Sequence, residues 1–246
     1  MNILVCISKV PDTTTKISFT DNNSKFNEAG VQFILNPYDE WYALVRAVEI
    51  RESLGGEVTV LNVGRADNEQ IIRKALAIGA DKAIRVDADP ADAFYVARQI
   101  AEQARAGSYE MILLGKETID YNGSILGGMV AELLDLPYIS LASHLDVEGQ
   151  TATLTRDIEG GKEVLQVTMP FVASAQKGMA EARIPNMRGI MMSKSKPLNV
   201  VPPVDIAPPT RIEAYQLPPE KGQVKLIAPD NMEELVRLLH EEAKAI

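Results

Sequence analysis

One cysteine, two histidines and one tryptophan occur in 246 residues, and each scarcity closes off some chemistry. A lone Cys6 leaves no disulfide framework and points to a reducing compartment. One thiol and two imidazoles are too few for a zinc site built from nitrogen and sulfur ligands. His144 falls in a predicted edge loop and His240 in a predicted terminal helix, so neither joins a Ser-His-Asp or Cys-His arrangement. No apolar run approaches the roughly 20 residues that span a bilayer. The opening MNILVCISKVPD has one short apolar run with no basic residue before it, and reads as a first strand rather than a signal peptide. Positive charge is also in deficit: 25 Lys and Arg against 34 Asp and Glu give a net charge of −9, which argues against general nucleic-acid binding. The sequence predicts an acidic, soluble, cytoplasmic protein that is not a membrane protein and is long enough to bury a substantial core.

What is present is a regular alternation. Ile3–Ile7, Val58–Val63, Ala83–Val86 and Met111–Leu114 are apolar runs of buried-strand length. Helical signals separate them. Asn36-Pro37 reads as a cap followed by Pro at the first helical position, with Asp39 in the first turn and Trp41, Leu44, Val45 and Val48 on one face. Asp67 with Gln70 reads as a capping box for a helix closed at Gly79. Further helices are predicted over Phe94–Ala106 and Ser124–Asp135. The pattern is that of an α/β, doubly wound, mostly parallel sheet. After Pro137, Thr151–Asp157 and Glu163–Met169 read as an added antiparallel hairpin across Glu159-Gly160-Gly161. Paired prolines from Pro197 to Pro219 exclude a helix interior or central strand and predict an extended arm, which ends in an amphipathic helix over Asp230–Ala245. The division is an α/β domain over 1–196 and an arm with its helix over 197–246. The arm either embraces another subunit or links back to the chain's own body.

Two segments carry candidate function. GKETIDYNGSILGG, from Gly115 to Gly128, leaves a strand and enters a helix, where ligands of open α/β sheets sit and where free N–H groups bind phosphate. It is neither a Walker A sequence nor GxGxxG. Gly127 and Gly128 lie inside the helix, where each costs about 1 kcal/mol against Ala; they mark either a ligand or tight packing on the sheet. The loops Ser8–Thr15, Asn36–Asp39 and Val63–Asp67 leave strand ends on the same edge and complete one nucleotide crevice. The second segment, Ala175–Lys196, concentrates Lys177, Arg183, Arg188, Lys194 and Lys196 against Glu181 alone, with four of the nine methionines. A Met-rich, basic, exposed loop suits an adaptable partner surface, or is simply a core strand end followed by a solvated basic loop.

These segments resemble the β subunit of electron-transfer flavoprotein along nearly the whole chain. VCISKVPDTTTKI, LNPYDEWYALVRAVEI, ALAIGADKAIRV and LLGKETID are each similar to family segments. RDIEGGKEVLQVTMPFVASA followed by ARIPNMRGIMMSKSKPL resembles the family signature and is the most specific. The resemblance implies a heterodimer in which an α subunit supplies most of the site for a redox-active FAD. The β subunit would clamp that FAD and bind a structural AMP or, in bifurcating members, a second FAD. By position, the adenine-nucleotide site falls on Cys6, Asn36, Pro37, Tyr38, Asp39, Val63, Gly115, Lys116, Glu117, Thr118, Ile119, Asp120, Tyr121, Asn122, Gly123, Ser124, Ile125 and Leu126. Thr13 falls where members approach the α-subunit flavin. Ala175–Pro197 matches the segment that docks partner dehydrogenases, with Met187 in place of the common Leu anchor and Arg183 and Arg188 beside it. Two departures stand out: Ile125 replaces a Gln, and Tyr121 replaces a small or acidic residue. The loop lacks the Asp-Gly-Asp-Thr run of bifurcating relatives, which favours AMP over a second FAD. The implied function is a non-catalytic carrier between flavin dehydrogenases and a quinone oxidoreductase or other acceptor. Two alternatives stand beside it: a bifurcating subunit that oxidises NADH at a second FAD, and an ATP-binding sensor or hydrolase.

Overall fold

Strand alternation decides which face of the sheet each residue serves. In the computed structural model, which describes residues 1–220 and 222–246, Lys221 of the predicted arm lies outside the described residues. The first strands are β1 (Asn2–Cys6), β2 (Lys9–Pro11), β3 (Phe19–Thr20), β4 (Lys25–Phe26) and β5 (Phe33–Leu35). The α/β units follow as α1 (Asp39–Leu54), β6 (Glu57–Val63), α2 (Glu69–Ile78), β7 (Lys82–Val86), α3 (Ala93–Ala106), β8 (Met111–Gly115) and α4 (Leu126–Leu134). The remainder is β9 (Tyr138–Glu148), β10 (Thr151–Ile158), β11 (Gly161–Thr168), β12 (Phe171–Ala175), α5 (Met187–Ser193), β13 (Leu198–Val201) and α6 (Met232–Glu241). Nine strands form one sheet in the order β11-β10-β9-β12-β8-β1-β6-β7-β13, parallel except where β10 meets β9 and β11. Ile3, Val5 and Ile7 pack toward α1 and α2, whereas Leu4 and Cys6 pack toward α3 and α4. That is the doubly wound sheet expected.

Several local readings are corrected. The hairpin is the end of a three-stranded meander, and its turn is Glu159-Gly160 between Ile158 and Gly161. His144 lies inside β9 rather than in an edge loop, with its ring on Asp146. The edge strand β13 went unread, and the central strand β12 was read only as a core strand end before the basic segment. β13 comes from the Pro-rich arm, and its edge position is the one that flanking prolines allow. Asp67 makes no capping box: its carboxylate pairs with Lys9, and a short 3₁₀ turn over Ala66–Asn68 leads into α2. The terminal helix is shorter than expected, Met232–Glu241.

The two helical glycines differ. A Cβ on Gly127 would lie 2.7 Å from the Tyr138 hydroxyl and 2.8 Å from Leu114 Cδ1, so tight packing on the sheet accounts for this glycine. On Gly128 it would meet nothing closer than 3.7 Å. Gly127→Ala is therefore expected to destabilise by about 1–3 kcal/mol through overpacking. Gly128→Ala is expected to stabilise by up to about 1 kcal/mol through helix propensity. Chemical denaturation of the two variants checks both signs.

Candidate functional site

The carboxyl ends of β1, β6 and β8 lie along one edge of the sheet, where the predicted nucleotide crevice would sit, and the architecture of this edge starts from Asn36. This side chain is fully buried, donates to Glu117 O at 3.0 Å and accepts from the Ile119 N–H at 3.1 Å. It is a clasp on the Gly115 loop and not a helix cap. α1 begins three residues later at Asp39, after Tyr38 with φ 62°, so Pro37 is not its first helical residue. Gly115 lets α1 approach, since a Cβ there would lie 2.8 Å from Glu40 Cγ and 2.9 Å from the Glu40 nitrogen. The first turn of α1 is thereby pressed under the loop.

Two acids of that turn are buried. Glu40 accepts from the Ser8 N–H at 2.6 Å and the Ser8 hydroxyl at 2.7 Å. Burial pushes its pKa to about 8, and Asp120 and Asp39 add to the rise while the Ser8 bonds oppose it. Asp39 is 8 % exposed. Burial raises Asp39 to about 6, against the nearby Lys116 and with Glu117. The Cys6 thiol is also raised, by burial first and then by Glu40. An acid raised in the folded state stabilises fully below its unfolded value, here near 4.5, and loses that contribution as pH rises through about 8. Glu40→Gln keeps the shape and cannot ionise. The variant is expected to match the parent near roughly pH 4.5 and to exceed it by a few kcal/mol near roughly pH 9, as urea midpoints at both values would report.

Beyond Gly115 the loop bends through two left-handed residues, Asn122 (φ 49°) and Ser124 (φ 54°), on either side of Gly123. Such backbone in non-glycine residues costs about 1–3 kcal/mol each and concentrates at functional sites. The turn delays the helix, so α4 starts at Leu126 rather than Ser124. Ile125 puts no side chain on the first N–H groups of α4, leaving them free for an anion. The Ser124 hydroxyl donates instead to Glu117 at 3.0 Å. Partial desolvation raises the Glu117 pKa, but bonds from Ser124 and Asn122 and the charge of Lys116 outweigh it and hold the carboxyl below its usual range. Cys6 and Val63 are buried strand ends at this edge, while Tyr121 and Tyr38 are exposed. Thr13 stands at the tip of a turn in which Asp12 accepts from the Thr14 N–H and hydroxyl.

The structure brings most predicted nucleotide residues to one edge. Ser8, read as the start of the Ser8–Thr15 loop, is the partner of Glu40, and one residue that the sequence reading passed over belongs with them: Tyr215, whose hydroxyl lies 3.2 Å from that of Tyr121. Tyr215 is the one aromatic in residues 197–246, a signal available in the sequence.

The basic Met-rich segment is more structured than a loop. Met179 is buried in the core. Asn186 caps α5 by accepting from the Gly189 N–H at 2.8 Å. α5 rests on α2 at Gly189, where a Cβ would lie 2.5 Å from Ala77 O. Lys196 is spent on the end of α2, donating to Leu76 O and Ala80 O, and Arg73 holds Ser193 O and Lys196 O. Arg183 pairs with Glu52 at 2.9 Å, while its carbonyl accepts from Trp41. What remains outward is mixed: Met187 is 75 % exposed and Met191 70 %, and Lys177, Arg188 and Lys194 are exposed beside them with no ion pair among the described residues.

A model of the electron transfer flavoprotein domain matches residues 24–206. The electron transfer flavoprotein subunit beta of Bacillus subtilis (strain 168) is 34 % identical over 260 residues, covering 100 % of both chains. The chain belongs to the electron transfer flavoprotein β-subunit family. The subunit beta of Syntrophomonas wolfei is 35 % identical over 224 residues, covering 90 % of this chain and 88 % of that one. The human subunit beta is 32 % identical over 252 residues, covering 98 % and 97 %. The family model thus includes the Asn36 clasp, the Gly115 loop and α5. No helix among the described residues is long and apolar enough to cross a membrane.

Proposed function

We propose that this chain is the β subunit of a heterodimeric electron carrier, which accepts electrons from flavin dehydrogenases and delivers them to a quinone oxidoreductase or other acceptor. It binds AMP in the crevice and helps hold the FAD of its α subunit. When bound, the FAD supplies the redox chemistry; the protein supplies orientation, electrostatics and exclusion of water. The observation that carries this reading is the Asn36 clasp, which ties the Gly115 loop to the segment entering α1, with Asp39 close to Gly115 and the N-terminus of α4 left without a side-chain cap. Asp39 suits a hydroxyl or amine donor of a nucleoside, and the free N–H groups of α4 with Lys116 suit a phosphate. Thr13 faces the α-subunit flavin from its exposed turn. Met187 enters an apolar pocket of the partner dehydrogenase, with Arg188 and Arg183 setting the encounter.

Coexpression with an electron transfer flavoprotein α subunit, purified through a tag on this chain, tests the proposal. The expected product is a 1:1 complex whose flavin a partner dehydrogenase reduces. A chain that purifies alone and binds ATP would support the sensor or hydrolase reading instead.

A further inference from the structure

We infer that the Pro-rich arm is a strap across the mouth of the crevice, latched by Tyr215 to Tyr121, so that opening the nucleotide loop and lifting the arm are one event. This rests on the crevice being the nucleotide site. The path of the arm is fixed by bonds to the chain's own body. β13 lies beside β7, and the Asp87 N–H donates to Val201 O at 2.9 Å. Gln99 of α3 then holds Val204 through both of its backbone groups, at 3.1 and 2.8 Å. Asp92, which caps α3, also accepts from the Thr210 N–H at 2.9 Å and the Thr210 hydroxyl at 2.8 Å. The Tyr215 N–H donates to Asn23 O at 2.7 Å, and its ring stacks on Phe19 with centroids 4.9 Å apart. Its hydroxyl reaches Tyr121 on the loop after β8. From β7 to β8 the sheet order runs through β6 and β1, so the anchors at Asp92 and Tyr121 stand on either side of the carboxyl ends of those two strands.

The sequence suits a strap. Pro202-Pro203 and Pro208-Pro209 restrict the backbone before it docks, which lowers the entropy lost on docking. The latch is also placed to transmit. Among the described residues, no hydrogen bond or ion pair joins 216–246 to the body, and α6 exposes Met232 and Val236. Tyr215 thus stands where the docked half of the arm meets the free half. A partner that engages the free half acts on the nucleotide loop through it, and by reciprocity the nucleotide acts on the arm.

Amide hydrogen exchange on the full chain tests the latch. Asn122 and Ile119 report the loop, through their bonds to Thr118 O and Asn36 Oδ1; Thr210 and Tyr215 report the arm. Tyr215→Phe keeps the stack and loses the hydroxyl. It is expected to speed exchange at Asn122 and Ile119 about three- to fivefold, the factor for one hydrogen bond at a partly wet site. Tyr121→Phe is expected to do the same at Thr210 and Tyr215, and the double variant should add nothing further. Variants that alter exchange only in their own element would overturn the inference. With AMP as probe, Tyr215→Ala is expected to raise association and dissociation rates together by about tenfold, since stack and hydroxyl are both lost. A rise in dissociation alone would make Tyr215 a ligand contact and sink the strap. If neither the parent nor Tyr215→Ala binds AMP, the nucleotide reading fails, while the exchange pattern still decides the latch.

Discussion

Asn36→Ala is expected to destabilise the chain by about 2–4 kcal/mol and to abolish nucleotide retention. The size follows from two backbone groups, Glu117 C=O and Ile119 N–H, that lose their partner where water enters poorly, each at about 1–3 kcal/mol. A residue that merely capped α1 would cost about 1 kcal/mol and leave the Gly115 loop intact. The two accounts separate cleanly. Urea unfolding gives the magnitude, and exchange at the Ile119 amide shows whether the loop has come loose. Asn36→Asp refines the test, since it keeps an acceptor for Ile119 and loses the donor to Glu117. Its amide protection should be mostly retained while half the stability loss persists.

Met187→Asp is expected to lower the second-order rate of electron transfer from a partner dehydrogenase by about 30-fold or more. An apolar anchor at the centre of a small interface is worth about 2 kcal/mol or more, and a carboxylate in its pocket adds a desolvation cost. The residue heads a capped helix seated on α2, so its position is fixed before any partner arrives. At 75 % exposure the substitution should change folding stability by less than about 0.5 kcal/mol, so lost transfer would not be lost fold. Met187→Leu should be near neutral. Stopped-flow reduction of the carrier's flavin measures all three proteins. Transfer rates unchanged in the Asp variant with every partner tried would remove Met187 from the interface.

The parts of the fold that depend on near neighbours were legible in the sequence. Apolar runs of strand length between helical repeats give the doubly wound sheet, because each face of β1 needs a helix layer of its own. What was misread depends on distant partners. Asn36 before Pro37 has the local form of a cap, yet its bonds reach a loop 81 residues away. Asp67 looks like a cap and is taken by Lys9, 58 residues earlier. The lone aromatic of the arm meets Tyr121 across 94 residues, which no local pattern encodes. Charge counting overstated the basic segment in part: Lys196 serves the carbonyls of α2 and Arg183 is paired, so Lys177, Arg188 and Lys194 are the charges that face outward with the methionines. The departure at Tyr121 was visible from the start. Its consequence needed the arm.

The most direct test is the nucleotide content of the purified complex. Denaturing the heterodimer and separating the released nucleotides by chromatography is expected to give FAD and AMP in equal amounts, the FAD from the α-subunit site and the AMP from the crevice. Two equivalents of FAD with no AMP would contradict the carrier account and establish a second flavin in the crevice.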